Sequence, residues 1–131
     1  SYVMEEEFRA LLKADPALSA IVGDRIDFGT REQGGALPAI VLNTISDVKD
    51  HHMNGSGGLY QGRVQVDCYG MTYGAAKLAS RAVVDALHFY RGGGFLLITH
   101  LMTRDTRESG SNEAERPYRT GLDFNTSWRP V

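Results

Sequence analysis

Residues 59–90, LYQGRVQVDCYGMTYGAAKLASRAVVDALHFY, decide the fold, because a strand pattern passes directly into a helix pattern. In residues 63–69 every second side chain is apolar, and this period of two predicts a half-buried strand, most often antiparallel. Gly70 is expected to end the strand, and Thr72 is expected to cap the helix that follows. The side chains predicted to point into the core are Val64, Val66 and Cys68.

The helix is predicted to run to Tyr90, because small and apolar residues recur at spacings of three and four. The glycines at positions 92–94 are expected to stop it, since glycine accepts the left-handed turn beyond a helix C-terminus. About 18 helical residues rise roughly 27 Å, and about eight strand residues span roughly 26 Å, so one can lie along the other. The predicted buried stripe is Ala75, Leu78, Ala79, Ala82, Val83, Ala86, Leu87 and Tyr90.

Two further helices are predicted before this unit. Residues 3–14 form an amphipathic pattern, and the glutamates near its start favour a helix N-terminus through the helix dipole. Asp15 breaks that helix and can cap a short second one, with Pro16 at its first position, residues 17–22 filling the turn and Gly23 ending it. The apolar stripe of the first helix is Met4, Phe8, Leu11 and Leu12.

The remaining strands are predicted at residues 25–28, 39–46, 95–107 and 118–128. The run at 39–46 begins with four consecutive apolar residues, which is typical of a strand covered on both faces or lying at a subunit contact. Alternation in the others favours antiparallel pairing. The sequence therefore predicts a single α+β domain, residues 1–131, with one antiparallel-rich, mixed β-sheet and the helices packed on one face.

Composition excludes several classes of function. The formal charge of the 131 residues is −2, with acidic and basic residues mixed along the chain, so nothing favours nonspecific binding to nucleic acid. No apolar run is long enough to span a bilayer, and no secretion signal opens the chain. The lone cysteine, Cys68, excludes an intrachain disulfide and is consistent with synthesis in the cytosol.

Catalytic, metal and cofactor motifs are not recognisable in the sequence, and we expect no enzyme activity. His51 and His52 are adjacent, so in an extended segment they point to opposite sides, which is poor geometry for sharing a metal. The glycine clusters lack the lysine and hydroxyl residue of a phosphate loop. A small basic patch forms if the last two strands pair, and a protein contact or a solvated face is favoured over nucleic acid. Its members are Arg104, Arg107, Arg116 and Arg119.

The long polar connections are the predicted contact regions. Residues 47–58 and 109–116 are rich in charged side chains and glycine, and a loop of this kind gains little by folding alone. We predict that they contact other protein subunits, together with polar residues from the loop at 29–37 and the end of the long strand. The predicted interface residues are Arg31, Glu32, Asp47, Lys49, Asp50, His51, His52, Asn54, Arg104, Arg107, Glu108 and Arg116.

The order of these features resembles the tail completion, or tail terminator, family of long-tailed bacteriophages and gene transfer agents. The likeness covers most of residues 3–90, and beyond position 92 only the two-strand pattern agrees. The segments that carry it are FRALL at 8–12, ADPAL at 14–18, IVGDRI at 21–26, ALPAIV at 36–41, GRVQVDCY at 62–69, and Thr72-Tyr73 leading into Ala76, Leu78, Val83 and Leu87.

The resemblance implies a structural virion protein, located at the head–tail junction and made in the host cytoplasm. Such proteins close the head-proximal end of the tail tube as a ring, typically of six copies, stop tube growth and join the tail to the head connector or stopper. The implied partners are further copies of the chain, the major tail tube protein and the connector, with no membrane and with DNA only as passing cargo. Alternatives are another neck or minor tail component, a monomeric adaptor, or a small α+β enzyme.

Overall fold

The described part of the chain contains three helices and seven strands. The computed structural model describes residues 2–30, 35–45, 52–53, 60–107 and 117–129, with only the backbone at Tyr2, His52, Met53 and Arg107. None of its helices is both long and apolar enough to cross a membrane. The elements are α1 (Tyr2–Lys13), α2 (Pro16–Val22), β1 (Ile26–Phe28), β2 (Ala39–Ile45), β3 (His52–Met53), β4 (Tyr60–Gly70), α3 (Tyr73–Leu87), β5 (Tyr90–Gly92), β6 (Phe95–Arg107) and β7 (Tyr118–Trp128).

The seven described strands form one mixed sheet in the order β1-β2-β4-β7-β6-β5, with β3 paired to the start of β4. Only β1 and β2 are parallel among these pairs; all the others are antiparallel. This arrangement confirms the predicted α+β fold with an antiparallel-rich sheet. It places β1 at one end of the strand order, and β6 with the short β5 at the other end.

The central unit β4–α3 agrees with the pattern that predicted it. The inward side chains of β4 are fully buried at Val64, Val66 and Cys68. The Thr72 hydroxyl accepts a hydrogen bond from the Ala75 amide at 3.0 Å and so caps α3. At Gly70 a Cβ atom would lie 2.6 Å from a backbone nitrogen of α3, so only glycine permits this close approach of strand and helix.

The end of α3 differs from the prediction. The helix stops at Leu87, not Tyr90, and the amide of His88 bonds to the Val84 carbonyl at the C-cap. Phe89 has a φ of 63°, which turns the chain so that its amide reaches the Ile98 carbonyl at 2.7 Å. The glycines at 92–94 therefore belong to the β5–β6 hairpin, and β5, which begins at Tyr90, was missed because three residues show no measurable period.

Leu78 was also assigned wrongly, because its side chain is 55 % exposed. Val83 lies at the centre of the buried stripe. At about 100° per residue, Leu78 lies about 140° around the helix from Val83. Alanines occur on several sides of α3, so the sequence pattern did not fix the direction of its buried face. The side chains that α3 buries are those of Ala76, Ala79, Ser80, Val83 and Leu87.

The N-terminal helices close the core on the same face of the sheet as α3. The Asp15 carboxylate caps α2 by accepting from the Leu18 amide at 3.0 Å, and Gly23 ends it, as predicted. Glu7 of α1 accepts from the Gly94 amide at 2.7 Å and from the Trp128 indole at 3.2 Å, which ties α1 to the far strands. The buried side chains of α1 and α2 are Met4, Phe8, Leu12, Leu18 and Val22.

The long strand β6 does not keep the simple alternation expected for residues 95–107. Its pairing with β7 shifts register between Phe95 and Leu97 and again between His100 and Met102. Each shift leaves one extra residue in β6 without a partner in the ladder, as in a β-bulge. Phe95 and Ile98 are consequently both buried although they are three positions apart.

Candidate functional site

Most of the predicted interface residues lie outside the described residues. Those are Arg31, Glu32, Asp47, Lys49, Asp50, His51, Asn54, Glu108 and Arg116. The backbones of His52, in β3, and Arg107, at the end of β6, are described without their side chains. Arg104 is the member of the set whose side-chain contacts the structure gives.

Arg104 lies on β6 and is engaged by a carboxylate of the neighbouring strand. Its guanidinium donates to both oxygens of Asp123 on β7, at 3.0 and 3.2 Å, and also contacts the Met102 sulfur at 3.2 Å. The Asp123 side chain is 7 % exposed, whereas that of Arg104 is 46 % exposed. A two-point pair of this kind fixes the guanidinium in position. The positive charge of the half-exposed Arg104 side chain is therefore neutralised by Asp123, and Arg104 is not an unpaired cation.

A second buried carboxylate, Asp67, lies on the face of the sheet opposite the helices. Asp67 is 4 % exposed and both its oxygens accept from the Gln65 amide, at 3.1 and 3.2 Å. A Cβ atom at Gly121 would lie 3.0 Å from the Asp67 carboxylate, so the glycine makes room for it. Both Asp67 and Asp123 alternate with apolar neighbours along their strands, and no local sequence signal reveals that they are buried.

A polar contact joins the start of α3 to β6 and β7. The Asp105 carboxylate accepts from Lys77 at 2.8 Å, from Thr120 at 3.1 Å and from the Tyr73 hydroxyl at 3.4 Å. The hydrogen bond from Lys77 lowers the pKa of Asp105, and Asp105 in turn raises the pKa of Lys77. The Lys77 and Asp105 side chains are partly exposed, so water screens the ion pair and it serves mainly to orient α3 over the sheet.

The free part of the β6 edge carries apolar side chains. β5 pairs with β6 only as far as Ile98, so no described strand covers β6 beyond that point. Two positions beyond Ile98, the His100 amide donates to the His88 imidazole at 3.0 Å. The His100 ring contacts the Thr103 hydroxyl at 2.9 Å. Leu101 and Met102 follow directly and are 44 % and 49 % exposed. Sequence reasoning placed this region in the sheet but did not identify it as a surface.

Two described groups that could support chemistry, the Cys68 thiol and the Tyr60 hydroxyl, are buried. Burial raises the pKa of the Cys68 thiol, and the neighbouring Asp67 adds to the effect, so the thiol stays protonated. Burial also raises the pKa of Tyr60 to about 12, with a smaller effect from Glu5. Within the described residues, no three His, Cys, Asp or Glu side chains are grouped to hold a metal ion.

Comparison with known proteins identifies a matching family and a similar solved structure. A protein-family model described as tail completion protein gp17 matches residues 6–127. Among solved structures, a chain of the "Virion of native gene transfer agent (GTA) particle" has a TM-score of 0.67 and 20 % sequence identity, covering 93 % of this chain and 91 % of that chain. At this identity the structural likeness shows a shared fold. A search of curated proteins finds no match.

Proposed function

The chain belongs to the tail completion protein gp17 family, and from this premise we propose that it forms a ring that closes the head-proximal end of a tail tube. Family membership makes it a structural protein of a phage-type tail and argues against an enzyme. The observation that carries the proposal is that the family model spans nearly the whole chain, including most of α1, all of α2 and α3, and the paired strands β4, β6 and most of β7.

The proposed ring contains six copies, ends polymerisation of the tube and joins it to the connector of the head. It acts in the virion, at the junction of head and tail, after synthesis in the host cytoplasm. Its partners are the major tail tube protein on one side and the head connector or stopper on the other, while DNA passes through the lumen. We assign these contacts to the polar connections 47–58 and 109–116, which lie largely outside the described residues.

The described fold suits such a role. The helices cover one face of the sheet, and among the described residues the β6 edge beyond Ile98 and part of the opposite face, at Arg63 and Asn125, are exposed. The buried acidic groups of that opposite face, Asp67 and Asp123, are bonded within the subunit. A subunit with its charges satisfied internally can pack against another without leaving a buried charge unpaired.

The proposal is tested by assembling tails in cells that lack this chain. We expect tubes of irregular, excessive length and heads without tails, because nothing stops tube growth or binds the connector. Supplying the wild-type chain from a plasmid should restore tails of uniform length. Tubes of normal length that merely fail to attach would identify a neck component, and normal joined particles would contradict any role in completion.

A further inference from the structure

The exposed apolar side chains of the subunit are concentrated at one edge of the sheet. Of the eight large apolar residues exposed in the described chain, four lie at the β5–β6 edge. Two of these are the extra residues of the two β-bulges, Leu96 and Leu101, neither of which has a partner in the β6–β7 ladder. The other two are Phe89 and Met102.

A bulge redirects the side chain of its extra residue, so the choice of residue there matters. A solvated bulge is compatible with a polar residue, yet both bulges of β6 carry an exposed leucine. Leu96 lies alongside β5, whereas Leu101 lies beyond the last residue that β5 pairs, Ile98. Leu101 and the adjacent Met102 therefore form an apolar projection with no described strand on the side of β6 that faces away from β7.

A cavity lies at the opposite end of the strand order. It measures about 100 Å³ and is bounded by β1, β2 and the segment that precedes β2. Asp27 and Val41 are paired across β1 and β2, one position away from the inward Ile26 and Ile40, so this part of the cavity opens on the helix-free face. The lining residues include Arg25, Asp27, Ala36, Ala39, Ile40 and Val41.

The β1 end can accept a side chain more readily than a strand. The Arg9 side chain donates to the Ile26 carbonyl at 2.6 Å, which occupies a backbone group at this edge. Arg25 donates to the Pro38 carbonyl at 2.8 Å and holds the segment before β2 against β1. An engineered cavity of roughly 150 Å³ holds a benzene molecule, so a cavity of about 100 Å³ is of the right order for a leucine side chain.

We propose that Leu101 of one copy inserts into the β1–β2 cavity of the next copy, with Met102 packing beside it. This inference rests on the ring proposed above and identifies the contact that joins its subunits. The projection and the cavity occupy opposite ends of one sheet, so the contact is head-to-tail. Such a contact repeated by rotation closes into a ring when the angle fits.

Cross-linking in assembled tails tests the contact. The variant L101C/A36C, which places one cysteine on each side, is treated with a short bismaleimide; Ala36 lines the cavity and is exposed. We expect a ladder of covalent oligomers that extends to six copies. The control L78C/A36C moves the first cysteine to Leu78, an exposed position of α3. The wild-type chain serves as a second control, for cross-linking through the buried Cys68. Neither should give a ladder.

The outcomes separate this inference from the proposed function. Tails that contain the ring by electron microscopy but give no ladder, or a ladder equal to that of the control, would overturn the contact and leave the ring standing. Dimers from L101C alone would also overturn it, because they require two copies of the same edge to meet. Absence of the chain from the tail end would instead overturn the proposed function.

Two further variants address the same contact without cross-linking. L101D should melt at the wild-type temperature, since Leu101 is exposed, but should reduce incorporation into tails at least tenfold. A36W should do the same by filling the cavity entrance. L78D, at a leucine that is also exposed, should be incorporated normally. Normal incorporation of both L101D and A36W would contradict the proposal.

Discussion

Leu87 and Leu78 both lie on α3 but differ completely in burial. Leu87 is fully buried against the sheet, and Leu78 is 55 % exposed. L87D places an uncompensated charge in the core, and we expect it to cost more than about 4 kcal/mol of unfolding free energy, or to prevent folding. L78D should change that free energy by less than about 0.5 kcal/mol. Urea unfolding of both variants checks this, and equal losses would contradict the assigned buried face.

Asp105 gives a pH dependence of known sign. Its pKa in the folded state is lowered from 3.8, chiefly by the hydrogen bond from Lys77. The group therefore contributes stability above its unfolded pKa, and this contribution is lost as pH falls through the folded value. D105N should unfold at a slightly lower urea concentration than wild type at about pH 7, and the difference should shrink as pH falls below 3.8, the ordinary pKa of the group. A difference that persists or grows in acid would contradict the pairing.

At the scale of elements, the turn from β4 into α3 depends on one glycine. A Cβ atom at Gly70 would meet backbone and side-chain atoms of Ala75 and Ala76 within 3.0 Å. G70A should therefore destabilise the fold by about 1–3 kcal/mol through overpacking. G74A, in the first turn of α3 with nothing within 4 Å of its new Cβ, should instead stabilise by about 0.5–1 kcal/mol. Thermal melting checks this difference between the two glycines: the melting temperature of G70A should fall below that of wild type, and that of G74A should rise above it.

Elements with strong local signals could be predicted from the sequence, and those set by tertiary contacts could not. Asp15 and Thr72 are each followed by a helical pattern, and this local signal predicts them as N-cap residues. The prediction of α2 and of the start of α3 is therefore correct. The end of α3 is set by pairing of β5 with β6, a contact made only in the folded chain. The bulges of β6 likewise depend on its partner, so the exposure of Leu101 was not foreseeable.

The residues of the candidate contact surfaces likewise divide into those with a local sequence signal and those set by tertiary contacts. Charge and glycine content indicated the polar connections as contact regions, and that remains a prediction. The burial of Asp67 and Asp123 arises from neighbours on other strands, Gly121 and Arg104, which no spacing within one strand reveals. The cavity beside β1 is lined by residues between positions 25 and 41, and it depends on the parallel pairing of β1 with β2, which the sequence pattern did not reveal.

At the scale of the whole molecule, the strand order gives the subunit two different ends. One carries the exposed leucine edge of β6 and the other carries β1 and its cavity. A subunit with two unlike ends associates head-to-tail, which makes a closed ring or an open filament according to the angle between copies. The ring proposed above requires the closed arrangement, and we expect the symmetric end of the tail tube to favour it over a filament.

The most direct test of the proposed function is an electron cryomicroscopy reconstruction of the head-proximal end of intact tails. We predict one ring of six copies of this chain between the last tube ring and the connector, with β6 of each copy facing β1 of its neighbour. Absence of the chain from that position, or its presence as a single copy, would contradict the account.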